Sequence, residues 1–168
     1  ITRRNSSGVL IEFENYYSSV EGLTSSTPTS LSVTRYNLAG SSVGDYALFA
    51  GGYAGSVSNV VDAYNTSLTR STPTALSVAR SSLAGSSVGD YALFAGGNVD
   101  SSRSNVVDAY NTSLTRSTPT DLSVARNSLA GSSVGSYALF AGGDASGSRS
   151  NVVDAYNTSL TRSTPTAL

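Results

Sequence analysis

The segment Tyr91–Gly97 reads YALFAGG, and the same seven letters stand at Tyr46–Gly52 and Tyr137–Gly143. A short run rich in aromatic and apolar residues predicts a β-strand, and the Gly-Gly pair predicts its end, because glycine adopts positive φ at little cost. After a variable loop, each copy is followed by the string VVDAY, which predicts a second strand. The chain is therefore expected to be a repeated β-structure.

The repeat has a period of 46 residues, since residues 76–121 and 122–167 differ at only seven of 46 positions. Residues 31–75 form a third copy that is one residue shorter. The second copy predicts four strands, over residues 79–88, 91–95, 106–110 and 114–118, and no segment shows the apolar period of a helix. Four strands in 40–50 residues are typical of one blade of a β-propeller. We predict an all-β propeller domain of about three and a half blades, with a degenerate half blade over 1–30 and complete blades over 31–75, 76–121 and 122–168.

The repeat resembles the kelch repeat, in which a strand ends in Gly-Gly, a variable loop follows, and the next strand ends in Tyr. Because its copies are nearly identical, the chain resembles the kelch-like repeats of bacterial or phage proteins more than other kelch repeats. The family's fourth-strand Trp is missing, and Leu68, Leu114 and Leu160 lie nearest its place. The matching positions are Gly51, Gly52, Gly96, Gly97, Gly142, Gly143, Tyr64, Tyr110 and Tyr156.

This resemblance implies a closed ring of six or seven four-stranded antiparallel blades, which three and a half copies cannot complete. Two alternatives follow. A second copy of the chain closes the ring, which makes the protein a homo-oligomer, or further repeats of a longer chain complete it. The absence of Met from the sequence agrees with a processed chain or a piece of a longer one.

Composition argues against several classes of function. Ser and Thr supply 51 of 168 residues, and Cys, His, Met, Trp, Lys and Gln are all absent. Without Cys or His, the common zinc and haem ligands, the histidine base and the thiol nucleophile are missing. Kelch-type copper oxidases need Cys and His, and sialidase-like propellers carry an Asp-box with Trp. We therefore expect no enzymatic activity, no metal and no cofactor.

Charge and hydropathy limit the partners. The net charge of −1 leaves no basic surface for phosphates, so we expect no nucleic acid partner. No apolar run approaches the roughly 20 residues that cross a bilayer, so we expect no membrane insertion. The carboxyl pair Glu12 and Glu14 lies on the degenerate strand, where we expect an exposed edge rather than a hydrolytic site.

One arginine and one aspartate recur in every repeat. A ring of these carboxylates could bind a cation, but a structural ion pair in each blade is the interpretation we favour, because repeats copy scaffold residues first. The recurring residues are Arg35, Arg80, Arg126, Asp62, Asp108 and Asp154.

The loop after Gly-Gly varies most, since four of the seven differences between the last two copies lie there. Loops held by a rigid scaffold often bind ligands, although exposed loops also tolerate change without any function. The candidate ligand contacts are Tyr53, Asn98, Asp100, Arg103, Asp144 and Arg149.

Two weaker motifs point to structure. The string GGDASGS at residues 142–148 lacks the spacing of a calcium-binding repeat. Asn5, Asn65, Asn111 and Asn157 lie in N-x-S/T sequons, and the last three coincide with a predicted turn.

We therefore predict a non-enzymatic binding or display module of a surface or phage structural protein, located on a cell surface, outside the cell or on a virion. It would recognise a glycan or a protein through the loops after Gly-Gly. The alternative is a purely structural repeat that pairs or stacks between chains without a ligand.

Overall fold

The computed structural model describes residues 3–4, 10–11 and 26–165. Each copy of the repeat folds into one antiparallel sheet of four strands, and these strands lie side by side in sequence order. We call the sheets blades 1, 2 and 3. Blade 1 consists of β3 (Ala39–Val43), β4 (Tyr46–Ala50), β5 (Val61–Tyr64) and β6 (Arg70–Ser71). Blade 2 consists of β7 (Ala84–Val88), β8 (Tyr91–Ala95), β11 (Val107–Asn111) and β12 (Arg116–Ser117). Blade 3 consists of β13 (Ala130–Val134), β14 (Tyr137–Ala141), β17 (Val153–Asn157) and β18 (Arg162–Ser163).

Three two-stranded ribbons accompany the blades. Two of them lie inside the variable loop after Gly-Gly, for which the sequence analysis predicted no strand. These are β9 (Asn98–Val99) with β10 (Ser102–Arg103), and β15 (Asp144–Ala145) with β16 (Ser148–Arg149). The third pairs β1 (Arg3–Arg4) with β2 (Leu10–Ile11). In the rest of the predicted half blade, residues 26–30 contain no strand, and the other positions, including Glu12, Glu14 and Asn5, lie outside the described residues.

The all-β prediction with four antiparallel strands per repeat is confirmed, but the bounds of three of the four strands predicted in blade 2 were wrong. The third strand, predicted over 106–110, is Val107–Asn111. The first strand of blade 2 begins at Ala84, five residues later than predicted, because the backbone before it bonds to blade 1. There the Arg80 N–H donates to the Ser58 carbonyl at 3.0 Å, and the Gly52 N–H donates to the Arg80 carbonyl at 2.8 Å. The fourth strand is only Arg116–Ser117, since Leu114 lies in the preceding turn with φ of 58°.

The core lies between the blades. Along β8, Ala92 and Phe94 pack towards blade 1, whereas Leu93 and Ala95 pack towards blade 3. This alternation buries both faces of blade 2, as the period-two side-chain pattern of a strand requires. Phe94 is 0% exposed, and its ring meets that of Tyr110 edge-on at 6.0 Å.

The first strands of the three blades pack directly against one another, with β7 between β3 and β13. A Cβ atom at Gly85 would collide with the carbonyl oxygen of Gly40, so only glycine permits this approach. The hydroxyl of Ser41 donates to the Ser86 carbonyl at 2.6 Å, and the hydroxyl of Ser86 donates to the Ser132 carbonyl at 2.6 Å. The small, serine-rich string AGSSV is thus the element that lets successive blades approach closely.

Over the described residues the three blades form an open series and no closed ring. The described part of the chain also contains no helix of the length and apolarity that a membrane crossing needs.

Substituting Phe94 with alanine should lower the free energy of unfolding by about 3–5 kcal/mol, since a buried aromatic ring is replaced by a cavity between two blades. The measurement is urea unfolding followed by circular dichroism. Val124→Ala is the control, because this side chain is 38% exposed. A Phe94→Ala midpoint as little changed as that of the control would show that β8 does not belong to the core.

Candidate functional site

The recurring arginine and aspartate form one buried ion pair in each blade. All six side chains are 0% exposed, so the pairs lie in the interior of the sheets. The pairs are Arg35–Asp62 at 2.9 Å, Arg80–Asp108 at 2.5 Å and Arg126–Asp154 at 2.6 Å.

In blades 2 and 3 the buried guanidinium also holds the ends of the two middle strands, whereas in blade 1 the only carbonyl among the described residues to which Arg35 donates is that of Phe49, at 3.0 Å. In blade 3, Arg126 donates to the carbonyls of Phe140 at 3.1 Å, Gly142 at 2.9 Å and Val152 at 2.6 Å. Arg80 makes the equivalent contacts in blade 2, to Phe94, Gly96 and Val106. Burial lowers the pKa of Arg80, and the neighbouring Asp108 carboxylate opposes that shift. The arginine therefore supplies donors to carbonyls around the Gly-Gly end of the strand.

Each buried carboxylate ties the incoming connection to the blade. Asp108 Oδ1 accepts the Ser77 N–H at 3.0 Å and lies 3.7 Å from Arg116. Nearby, the Tyr110 hydroxyl donates to the Thr74 carbonyl at 2.8 Å, and burial raises the pKa of this hydroxyl. Since Asp108 faces arginines and a main-chain N–H, its geometry is that of a structural ion pair rather than an open cation site. The described residues contain no group of three or more His, Cys, Asp or Glu side chains that could hold a metal.

Most of the variable positions, five of the seven at which the last two copies differ, come together at one end of the blades. In each blade, the residue after Gly-Gly bridges to a residue of the incoming connection, in the pairs Tyr36 with Tyr53, Ser81 with Asn98, and Asn127 with Asp144. We call this surface the rim. Its residues are Tyr36, Tyr53, Ser81, Asn98, Asp100, Arg103, Asn127, Asp144 and Arg149.

On blade 1 the rim presents two tyrosines. The rings of Tyr36 and Tyr53 lie 5.5 Å apart with an interplanar angle of 54°, and Tyr36 is 60% exposed. Tyr36 was not predicted as a site residue. The sequence did contain a signal for this position. Its equivalents in the later copies are Ser81 and Asn127, and this is one of the seven positions at which those copies differ.

Between blades 2 and 3 the rim is charged and polar. Arg103 reaches from β10 to blade 3, where its Nε and Nη2 lie 3.0 and 2.6 Å from Asp144 Oδ1. The Gly147 N–H, donating at 3.1 Å, and Arg103 hold the pKa of Asp144 below its ordinary value. A groove of about 520 Å³ adjoins this ion pair, lined by Ser101, Ser102, Arg103, Ala125, Ser146 and Gly147.

The remaining predicted contacts are more dispersed. Asp100 lies at the exposed tip between β9 and β10 with φ of 49°, and Arg149 is exposed on β16. Asn98 pairs through its backbone with Ser81. The structure thus places Arg103 and Asp144 in direct contact, whereas Tyr53 packs against Tyr36, a residue that was not predicted.

The three described sequons belong to turns. The Asn111 side-chain oxygen accepts the N–H groups of Ser113 at 3.0 Å and Thr115 at 2.9 Å, which fixes the turn before β12. Asn65 and Asn157 make the same contacts in blades 1 and 3. In the string GGDASGS, Asp144 is engaged by Arg103 and by the Gly147 N–H.

Comparisons with known proteins support the fold and identify no function. No protein-family model matches the chain, and no curated protein matches it. A solved structure described as "Structure of YjhT" is similar with a TM-score of 0.69 and 16% sequence identity, over 82% of this chain and 46% of that one. At this identity the likeness shows the fold alone, an all-β, propeller-like series of four-stranded sheets, and does not single out the kelch type. This chain spans about half the length of that structure.

Replacing Asp108 with alanine should lower the free energy of unfolding by about 3–5 kcal/mol, because Arg80 would keep a buried charge without its partner. Asp144→Ala is the matched control, since it removes a carboxylate from a partly exposed ion pair and should change the urea midpoint far less. Equal midpoints for the two variants would contradict a structural role for the buried pair.

Proposed function

We propose that the chain is a non-enzymatic binding module that recognises a glycan through the rim. The observation that carries this proposal is the grouping of the variable residues at one end of a nearly invariant scaffold, where an exposed tyrosine pair and a polar groove are found. Loops on a rigid framework are where binding residues concentrate.

The chemistry of the rim suits a sugar. Aromatic rings such as those of Tyr36 and Tyr53 offer a flat apolar surface with a polar hydroxyl, which matches the mixed apolar and hydroxyl-bearing faces of a pyranose. The groove beside Arg103 and Asp144 adds charged donors and acceptors, together with serine hydroxyls. A site with an apolar surface and a few placed polar groups is the usual composition of a ligand site.

A non-catalytic role and a surface location complete the proposal. Support for the first comes from the absence of His and Cys throughout the sequence. Support for a location on a cell surface or virion comes from the resemblance of the nearly identical copies to bacterial and phage kelch-like repeats.

Removing the tyrosine pair should abolish glycan binding without unfolding the protein. The double variant Tyr36→Ala/Tyr53→Ala and the variant Asp144→Ala would be applied to a glycan array, on which we expect at least a tenfold loss of signal for any glycan that the unsubstituted chain retains. Asp90→Ala is the control, because this exposed aspartate follows β7 at the opposite end of the blade. Retained binding by the rim variants, or a chain that binds no glycan, would contradict the proposal and leave assembly without a ligand as the alternative.

Binding through the rim should be nearly constant between about pH 5 and 8, because the chain contains no histidine, the one side chain whose ordinary pKa lies there. The lowered pKa of Asp144 keeps its carboxylate charged above the ordinary aspartate value of about 3.9. Its contact with Arg103 is therefore lost only as the pH falls through that lowered pKa. Titration of glycan binding by fluorescence tests this, and a transition near neutral pH would contradict it.

A further inference from the structure

Blade 3 exposes an apolar face that blade 2 buries. All five residues of β13 are exposed, whereas β7 buries every second residue. The face contains a groove of about 350 Å³ with almost no polar surface. We call the side of a blade that points towards the next blade its tail face. On blade 3 this groove is lined by Ala130, Gly131, Ser132, Leu139, Ala141, Val153 and Pro165.

The structure shows what such a face receives. The tail face of blade 2, including Leu93 and Val107, is covered by Phe140 and Tyr156 of blade 3. We call the covering side of a blade its head face. The head face of blade 1 carries the equivalent Phe49, which is 37% exposed, whereas Phe94 and Phe140 are 0% exposed. The described chain thus ends in a tail face at one side and a head face at the other.

Individual contacts on the tail face of blade 3 are incomplete. Gly89 of blade 2 lies against Thr158 of blade 3, with the threonine Cγ2 3.1 Å from the site of a Cβ atom. The equivalent Gly135 of blade 3 has nothing within 4 Å among the described residues. Likewise Gly97 donates its N–H to the Arg126 carbonyl of the next blade at 2.9 Å. The equivalent Gly143 N–H has no such acceptor in the described part of the chain.

The missing partners are present on the head face of blade 1. Thr66 is the equivalent of Thr158, and the carbonyl of Arg35 is the equivalent of the Arg126 carbonyl. Leu68 is 40% exposed, whereas its equivalent Leu160 packs into the core between blades 2 and 3. The half-contacts left open at Gly135 and Gly143 therefore have their complements on blade 1.

We propose that the tail face of blade 3 seats the head face of blade 1 from a second copy of this chain, and that two copies close one ring. Two copies would contribute six of the four-stranded sheets described here. The chain matches 46% of a propeller-like structure, so two copies approach the length of that whole structure. A head-to-tail interface that closes after two copies leaves no free face to continue the assembly.

The proposed interface is tested by mixing two variants, one with a disrupted tail face and the other with a disrupted head face. Leu139→Asp places a charge on the tail face, and Phe49→Asp places one on the head face. Each variant alone should elute as a monomer, because a homogeneous ring needs both faces. An equimolar mixture should recover a dimer, since one intact tail face and one intact head face remain. The measurement is light scattering after size exclusion, where the unsubstituted chain should show twice its 17.1-kDa mass.

Recovery of the dimer in the mixture also shows that both variants are folded. It thereby distinguishes a monomer that results from a disrupted interface from one that results from unfolding. The control is Val124→Asp, on an exposed valine outside the two core clusters, and it should remain a dimer. A monomeric unsubstituted chain would overturn the proposal, and so would a dimer that both variants leave intact. A mass that rises through trimers and larger species would overturn closure by two copies.

Discussion

The buried arginine–aspartate pair of each blade is the interaction on which the other features depend. Withdrawing both charges from water costs several kcal/mol per ion, and their attraction offsets this only when the remaining hydrogen-bonding groups are also satisfied. In blade 3 most of these groups are satisfied, by three carbonyls around Arg126 and by a main-chain N–H on Asp154, and only the Nε of Arg126 has no partner among the described residues. The pair therefore joins two strand ends, the Gly-Gly turn and the incoming connection into one unit.

This arrangement explains why most of the variation lies in the rim and its loop, which hold five of the seven positions at which the last two copies differ. The glycine pair that ends β8 is held by Arg80 from one side and by the Arg126 carbonyl from the other. The loop that follows starts from a fixed position and direction, and its residues can change without disturbing the sheet. Tyr53, Asn98 and Asp144 occupy the same bridging position on three blades with three different side chains. A rigid frame and a variable surface are thus two consequences of one buried ion pair.

Much of the fold was predictable because local signals agreed with the period of the repeat. YALFA is a strand as predicted, VVDAY forms a strand from its second valine onwards, and the turn at Asn111 precedes a strand as predicted. The start of the first strand was not predictable from a single copy, since the main-chain N–H groups of Arg80 and Ser82 donate to carbonyls of the preceding blade. The positive φ of Leu114 was also not predictable, because leucine does not favour that conformation. This residue packs against the core cluster between blades 1 and 2, a contact that the sequence does not show.

The contact between Tyr36 and Tyr53 was not predictable either. The two residues lie 17 positions apart in sequence, and only the β-bridge between the incoming connection and the loop brings them together.

The rim and the open faces are connected through Arg149. Arg103 of blade 2 reaches the position after Gly-Gly on blade 3, and Arg149 is its equivalent on blade 3. A second copy seated on the tail face would place Tyr53 at that receiving position, since it follows the Gly-Gly pair of blade 1. A guanidinium beside a tyrosine ring is a favourable cation–π arrangement, worth roughly 0.5–1 kcal/mol at an exposed site. Blade 1 carries Val57 in place of this arginine, so its joint with blade 2 lacks a charged link. Joining two copies would therefore extend the rim from the Arg103 groove to the tyrosine pair, and one continuous surface would combine charged and aromatic groups that a single chain holds apart.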